Sequence, residues 1–358
     1  MKIAIPVFVL QGGKSGVSTY TLELLRHLPR IHEYHVFIPR NERYFVEGRH
    51  IHEVASSIEN PAVNFLWTNF VFPWQAKKFD CVHYPCFRKL PLHFEVPHIA
   101  TCHDIGPYLI PEKYGYVRHL YHRYILPRRL HACAHIIAVS HATKQDLMEY
   151  LHIPEEKISV IYSGVDRKRF YPVSKGDLEE RRPYFVYVSR IEHPSKNHVR
   201  LIEAFEFFRN RSPGAEHELI FAGADWNGAD IVKKRAALSP YSKDIHFFGF
   251  VSGKTIRELY SGADAMVFPS LFEGFGLPIL EALACVTKVI TANTSSMKEL
   301  AALANLTTFD PYNPQSIAEA MMAVLREPKK SYDQFLSQFS WDKTAHEVAE
   351  IYARYGKR

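Results

Sequence analysis

Phe268-Pro269-Ser270-Leu271-Phe272-Glu273-Gly274-Phe275-Gly276-Leu277-Pro278-Ile279-Leu280-Glu281-Ala282 is the stretch on which the reading of this chain turns. An apolar strand is predicted to end at Ser270, a glycine-rich loop follows, and Pro278 stands where a helix would begin. Backbone N–H groups at such a helix start, approached closely through Gly274 and Gly276, make a seat for an anion. Two carboxylates bracket that seat, Glu273 in the loop and Glu281 in the first helical turn. A carboxylate beside a phosphate is electrostatically awkward unless it binds hydroxyls, as a sugar or a ribose would supply. The bland alternative is that Glu281 only favours the helix dipole and Glu273 is a solvated loop residue.

Outward from this segment the same grammar repeats. Tyr184-Phe185-Val186-Tyr187-Val188-Ser189-Arg190 reads as a strand ending on a cation, and Lys196 opens the next helix. Two cations at a strand's carboxyl end suit a diphosphate, although ordinary surface charges would look alike. Near the amino terminus, Gln11-Gly12-Gly13-Lys14-Ser15-Gly16 joins a first strand, Lys2–Phe8, to a helix. It is neither a Walker A loop nor G-x-G-x-x-G, and a plain tight turn is the alternative. His103 ends the strand Ile99-Ala100-Thr101-Cys102, where catalytic groups of such sheets sit; a histidine satisfied within the core is the other reading.

The Glu273/Glu281 segment resembles the E-x7-E signature of retaining enzymes in glycosyltransferase family 4, and Arg190 with Lys196 is similar to that family's arginine-x5-lysine pair. The resemblance extends through Ile136–Ser140, Val160–Asp166, Phe248–Val251 and Phe339–Trp341. It implies an α/β chain of GT-B fold: two facing Rossmann-like, doubly wound parallel-sheet domains with a C-terminal helix crossing back to the first. The expected divisions are an acceptor-binding domain at 1–168, a linker at 169–183, a nucleotide-sugar domain at 184–339 and the returning helix at 340–358.

By the same resemblance Glu273, His103, Arg190 and Lys196 are catalytic. Gly16, Ser189, Arg190, Lys196, Gly274, Phe275, Gly276, Leu277 and Glu281 bind the donor, Glu281 at its ribose, and Gly12 and Gly13 form the acceptor-side loop. Two departures bear on the base: Cys285-Val286-Thr287-Lys288 replaces a small-Gly-Thr-Pro turn, and Ala301-Ala302 replaces Gly-Asp after Glu299. Ser189 also stands where the family usually has glycine. No D-x-D pair occurs, so no metal and no other cofactor is expected.

Composition agrees with a globular chain of two domains: 358 residues, 47% apolar and 23% charged. No apolar run is long enough to span a bilayer, and the amino terminus reads as a strand, not a leader. Five scattered cysteines fit no zinc spacing and suggest reduced thiols, hence a cytoplasmic protein. The charge is lopsided: residues 1–170 hold 21 Lys and Arg against 15 Asp and Glu, so the whole surplus of +6 falls there. Lys113–Arg129 mixes cations with aromatics on a predicted helix, which suits an anionic membrane surface at the inner face of the plasma membrane or a merely solvated face. A nucleic-acid surface lacks a recognised module, and no such partner is expected.

The expected partners are a nucleotide sugar, GDP-mannose before UDP-glucose, and a glycan or lipid-linked acceptor of cell-surface polysaccharide such as lipopolysaccharide. A sugar-nucleotide 2-epimerase and a non-catalytic basic module are the alternatives.

Overall fold

A computed structural model describes residues 1–8, 10–13, 15–109, 120–173 and 182–356. Two compact units divide the chain: Met1–Gly164 together with Phe339–Arg358, and Val165–Gln338.

The first unit is built on seven strands: β1 (Lys2–Pro6), β2 (Glu33–Pro39), β3 (His50–Val54), β4 (Cys81–Tyr84), β5 (His98–Cys102), β6 (His135–Ala138) and β7 (Ile158–Val160). Their order is β3-β2-β1-β4-β5-β6-β7, every neighbouring pair parallel. β4, β5 and β6 are buried along their whole length, as expected where helices cover both faces of a parallel sheet. β3 is missing from the sequence reading, and its place explains why. It is an edge strand, His-Ile-His-Glu-Val, only partly buried, with no apolar run to announce it.

His83 on β4 shows what a histidine does at the centre of such a sheet. Fully buried, it meets Tyr352 OH at 2.6 Å and Thr101 Oγ1 at 2.8 Å, and burial holds its pKa down to about 3. The neutral ring therefore pins the C-terminal helix, Trp341–Tyr355, to this sheet. Thr344 Oγ1 adds a bond to Tyr162 O at 2.7 Å. A Cβ on Gly164 would lie 2.3 Å from Trp341 N, so only glycine lets the end of the first sheet and the start of this helix meet. That contact joins two of the sequence landmarks, Val160–Asp166 and Phe339–Trp341.

The second unit carries β8 (Tyr184–Val188), β9 (Glu218–Ala222), β10 (Ile245–Phe247), β11 (Ala265–Phe268), β12 (Val289–Ala292) and β13 (Thr307–Phe309). The order is β10-β9-β8-β11-β12-β13, again parallel throughout. Strand order thus reverses between β8 and β11, the topological switch point at which doubly wound sheets bind ligands. The change of unit falls at Val165, ahead of the 169–183 stretch that composition marks as a linker, of which 174–181 lies outside the described residues. Val165 and Phe170 are buried, and Arg257 stacks 4.2 Å over Tyr171, so 165–173 packs with the second sheet.

All five cysteines are free and buried. Among the described residues no helix is long and apolar enough to cross a membrane.

Candidate active site

The carboxyl ends of β8 and β11 bring two of the chosen residues into contact. Lys196 Nζ lies 2.5 Å from Glu273 Oε1, with the two side chains only 18% and 17% exposed. Ser270 Oγ donates to the same carboxylate oxygen at 2.7 Å, and Tyr187 OH meets Ser270 Oγ at 2.8 Å while donating to Lys196 O at 3.1 Å. From behind, Ser295 and Ser296 hydroxyls donate to Glu273 O at 2.5 and 2.9 Å. Asn197, in a left-handed conformation at the start of the His198–Arg211 helix, donates to Pro269 O and Pro311 O at 3.0 and 2.7 Å. Leu271 N donates to Ser195 O at 2.9 Å. The loops after β8 and β11 are therefore stitched together, and Glu273 is aimed before any ligand arrives.

Beyond Glu273 the same loop runs into a helix start. Gly276, at φ 104°, begins the Leu277–Ala284 helix with no side-chain cap, and Pro278 follows in its first turn. The positive end of that helix is thus left to backbone N–H groups. Glu281 is the fifth residue of the helix, in its second turn rather than the first. Half-buried, it accepts from Tyr260 OH at 3.4 Å; surrounding protein pushes its carboxyl up to about 7, against the opposing pull of Arg169.

Arg190, the second cation, lies 4.6 Å from the centre of the Trp226 ring. Ser189 Oγ donates to Arg190 O at 3.2 Å and lies 3.3 Å from His198 Nε2. Burial holds His198 down to about 3, so it sits in the core as a neutral ring. A Cβ on Gly223 of the neighbouring strand end would fall 1.8 Å from Ser189 O, so only glycine lets the ends of β8 and β9 approach this closely.

In the first unit, Gly12 and Gly13 adopt φ of 65° and 77°. Gly12 N donates to Glu42 Oε1 at 2.9 Å, Gly13 N to Leu10 O at 2.8 Å, and Ser15 caps the Gly16–His27 helix through Ser18 N. Lys14 lies outside the described residues. Among the described residues, a Cβ on Gly12 or Gly16 would meet nothing within 4 Å. His103 Nε2 lies 2.7 Å from Pro85 O, which makes it the N–H nitrogen and Nδ1 the acceptor. Burial lowers its pKa to about 4, outweighing the Pro85 bond and Asp104, so the ring is neutral at pH 7.

Two family models match almost end to end: "Glycosyltransferase Family 4" over 14–169 and "Glycosyl transferases group 1" over 173–337. The chain belongs to glycosyltransferase family 4. It is similar to the O-antigen chain mannosyltransferase RfbU of Salmonella typhimurium, 29% identical over 56% of this chain and 53% of that protein, about half its length. It is also similar to O-antigen chain mannosyltransferase B of Escherichia coli, 25% identical over 73% of this chain and 72% of that one. The structure of Anabaena HepE, solved with UDP and glucose, superposes with a TM-score of 0.76 at 17% identity, covering 99% of each chain. The fold of this family 4 member is accordingly GT-B.

Several residues around the family signature escaped the sequence reading. Trp226, Tyr260, Ser295, Ser296 and Arg169 lie far from their partners along the chain, and no motif links them. A cavity of about 610 Å³ in the first unit, lined by Phe37, His52, Val54, Trp67, Lys78 and Phe79 among others, contains none of the candidate residues. It is not the site built at β8 and β11.

Proposed function

We propose that this family 4 chain is a retaining hexosyltransferase that moves mannose from GDP-mannose to a glycan or lipid-linked acceptor of cell-surface polysaccharide. The observation that carries this is the Lys196–Glu273 contact at the switch point between β8 and β11. Lys196 and Arg190 would hold the diphosphate and neutralise the charge that develops as it leaves. The Gly274–Leu277 backbone would seat the same group, and Glu281 the ribose. Glu273 would face the anomeric carbon as positive charge grows there.

In front-side displacement, the bond from the anomeric carbon to the phosphate oxygen breaks while the acceptor oxygen bonds to the same face. The acceptor's proton passes to the departing phosphate, so no enzymic nucleophile is consumed. Nδ1 of neutral His103 is suited to accept a sugar hydroxyl, and the Gly12–Gly13 turn to admit the acceptor. The two O-antigen mannosyltransferases support mannose, and the UDP and glucose held by HepE support UDP-glucose as the second reading. We place the work at an anionic membrane surface met by the 113–129 segment, of which 113–119 lies outside the described residues; Arg123 and Arg128 are exposed.

Thermal-shift screening of nucleotide sugars followed by product analysis tests the reading. A stabilising GDP-sugar that is turned over only with acceptor, equally well after exhaustive chelation, is the expected result. Turnover of donor alone to an epimer, or a loss restored only by Mn²⁺ or Mg²⁺, would overturn it.

A further inference from the structure

The helical segment 61–76 of the first unit is apolar on its outward side as well as its inward one. A helix serving only its own domain turns apolar residues inward and polar ones out. Here the inward side is covered by Phe72 and Ala76 together with Asn64 and Thr68, all buried, and among the described residues the Thr68 hydroxyl has no hydrogen-bond partner. Outward stand Phe65 (46% exposed), Leu66 (56%), Phe70 (64%), Val71 (44%) and Trp74 (74%). Single exposed apolar side chains need no explanation, but six large ones on one short helix, with Val63 at 38%, do.

The patch continues beyond the helix. Leu92, also exposed, donates its N–H to Asn69 Oδ1 at 2.5 Å, and Arg129 Nη1 donates to the neighbouring Pro91 O at 2.9 Å. Through these contacts the helix borders the segment that exposes Leu120, Tyr124 and Ile125 beside Arg123 and Arg128. The rim is cationic. From Asn60 to Phe79 there is no acidic residue, while Lys77 and Lys78 are exposed and Lys77 Nζ lies 4.9 Å from the centre of the Trp74 ring. Lys77 also pairs with Glu95 at 3.4 Å.

We propose that 61–76 is an insertion helix that beds in the interfacial layer of an anionic bilayer. Phe65, Leu66, Phe70, Val71 and Trp74 enter the acyl boundary, and Lys77, Lys78, Arg123 and Arg128 meet lipid phosphates. Sixteen residues are too few to span, but the length suits a helix lying in the plane of the surface. Charge complementarity selects the anionic bilayer over a neutral apolar partner, and aromatic rings with polar tips at the rim belong at the membrane interface. The inference deepens the membrane reading given above but rests on other residues and a different force, since insertion of apolar surface persists at salt concentrations that screen charge.

The test is co-sedimentation with phosphatidylglycerol/phosphatidylethanolamine vesicles and with phosphatidylcholine alone, at low and high salt. Wild type should prefer the anionic vesicles and retain part of its binding in high salt. F70S/W74S should lose about tenfold or more at every salt concentration, and R123Q/R128Q should lose binding mainly at low salt. Brominated lipid should quench Trp74 fluorescence, with W74F as the control. An unchanged thermal-shift response to nucleotide sugar reports that the double variant is folded.

Vesicle binding by F70S/W74S equal to wild type overturns the insertion helix, even where R123Q/R128Q still weakens attraction. Wild type that ignores vesicles, but forms a dimer that F70S/W74S dissolves, overturns it in favour of a second copy of the chain. Vesicle binding without any sugar transfer supports insertion and removes only the transferase reading.

Discussion

The loops that follow β1 and β8 occupy the same topological position in their two sheets, yet they are built on opposite principles. After β8, residues 189–197 are held by side chains: Lys196 on Glu273, Asn197 on Pro269 and Pro311, Arg190 over Trp226. After β1, Gly12 and Gly13 are held through backbone N–H groups, and the volume beside Gly12 and Gly16 stands open. The contrast suits unequal tasks. A diphosphate is a small, invariant charge that rewards a preorganised cradle, whereas an acceptor glycan varies and rewards backbone that leaves room.

The largest effect expected from breaking this contrast lies at Glu273. If Glu273 faces charge that develops only in the transition state, as proposed, Glu273→Gln should lower kcat by about thirty- to a thousandfold, the equivalent of roughly 2–4 kcal/mol. It also releases Lys196 from its pair, so calorimetric affinity for nucleoside diphosphate should hold or rise. Glu281→Gln should do the reverse, weakening the nucleotide first. If Glu273→Gln abolished nucleotide binding while Glu281→Gln turned over normally at every donor concentration, the roles would be wrongly divided.

A pH series separates the same two carboxylates more finely. Glu281 has been pushed up to about 7; if as a carboxylate it accepts from the ribose hydroxyls, as proposed, donor affinity should increase roughly tenfold from pH 6 to pH 8. The ligand must be the nucleotide sugar, whose diphosphate does not titrate there, and Glu281→Gln should flatten the curve. The stability sign is opposite. A carboxyl whose folded pKa exceeds its ordinary 4.5 contributes stability that is full below that value and lost as pH rises through about 7. An affinity that does not change with pH in the wild type would remove Glu281 from the ribose.

Much of this contrast was legible beforehand, and the reason is locality. Strands β1, β2, β4–β6, β8, β9, β11 and β12 announce themselves as largely apolar runs, and the 268–282 signature lies within one strand–loop–helix unit, so its spacing survives in sequence. What could not be read comes from distance or exposure. The hydroxyls that hold the backbone carbonyl of Glu273 are 22 and 23 residues away, Tyr260 is 21 residues from Glu281, and Trp226 belongs to another strand's loop. β3 hides because an edge strand needs no apolar run. The 61–76 helix hides because composition does not tell which side of a helix faces in.

On the open side, Gly12→Val and Gly16→Val should act on different substrates. A β-branched residue at φ 65° is strained, and at either position the new side chain fills volume the proposal leaves to a ligand. Gly12→Val should raise the acceptor KM several-fold, up to about tenfold for roughly 1–2 kcal/mol of strain. Gly16→Val, under no such strain, should raise the donor KM while leaving thermal stability close to wild type. Unchanged kinetics in both variants would reduce the loop to a tight turn.

The smallest expected effect tests whether the tethered loop is tethered for a purpose. Trp226 is 45% exposed, so its ring contributes little to the core; what it does is lie under the Arg190 guanidinium, 4.6 Å away. At such an exposed position a cation–π contact is worth roughly 0.5–1 kcal/mol, which corresponds to about a two- to fivefold change in an equilibrium constant. If the contact holds Arg190 ready for the diphosphate, Trp226→Ala should weaken nucleoside diphosphate by that factor and leave the affinity for the nucleoside alone unchanged. Trp226→Phe, which keeps a weaker ring face, should recover part of the loss. A ring that instead touches the base would cost nucleoside and diphosphate alike, and a ring that only covers apolar surface would lower the melting temperature without changing either affinity. Calorimetry of both ligands against the three proteins distinguishes the cases, and only a loss confined to the diphosphate keeps Trp226 in its positioning role.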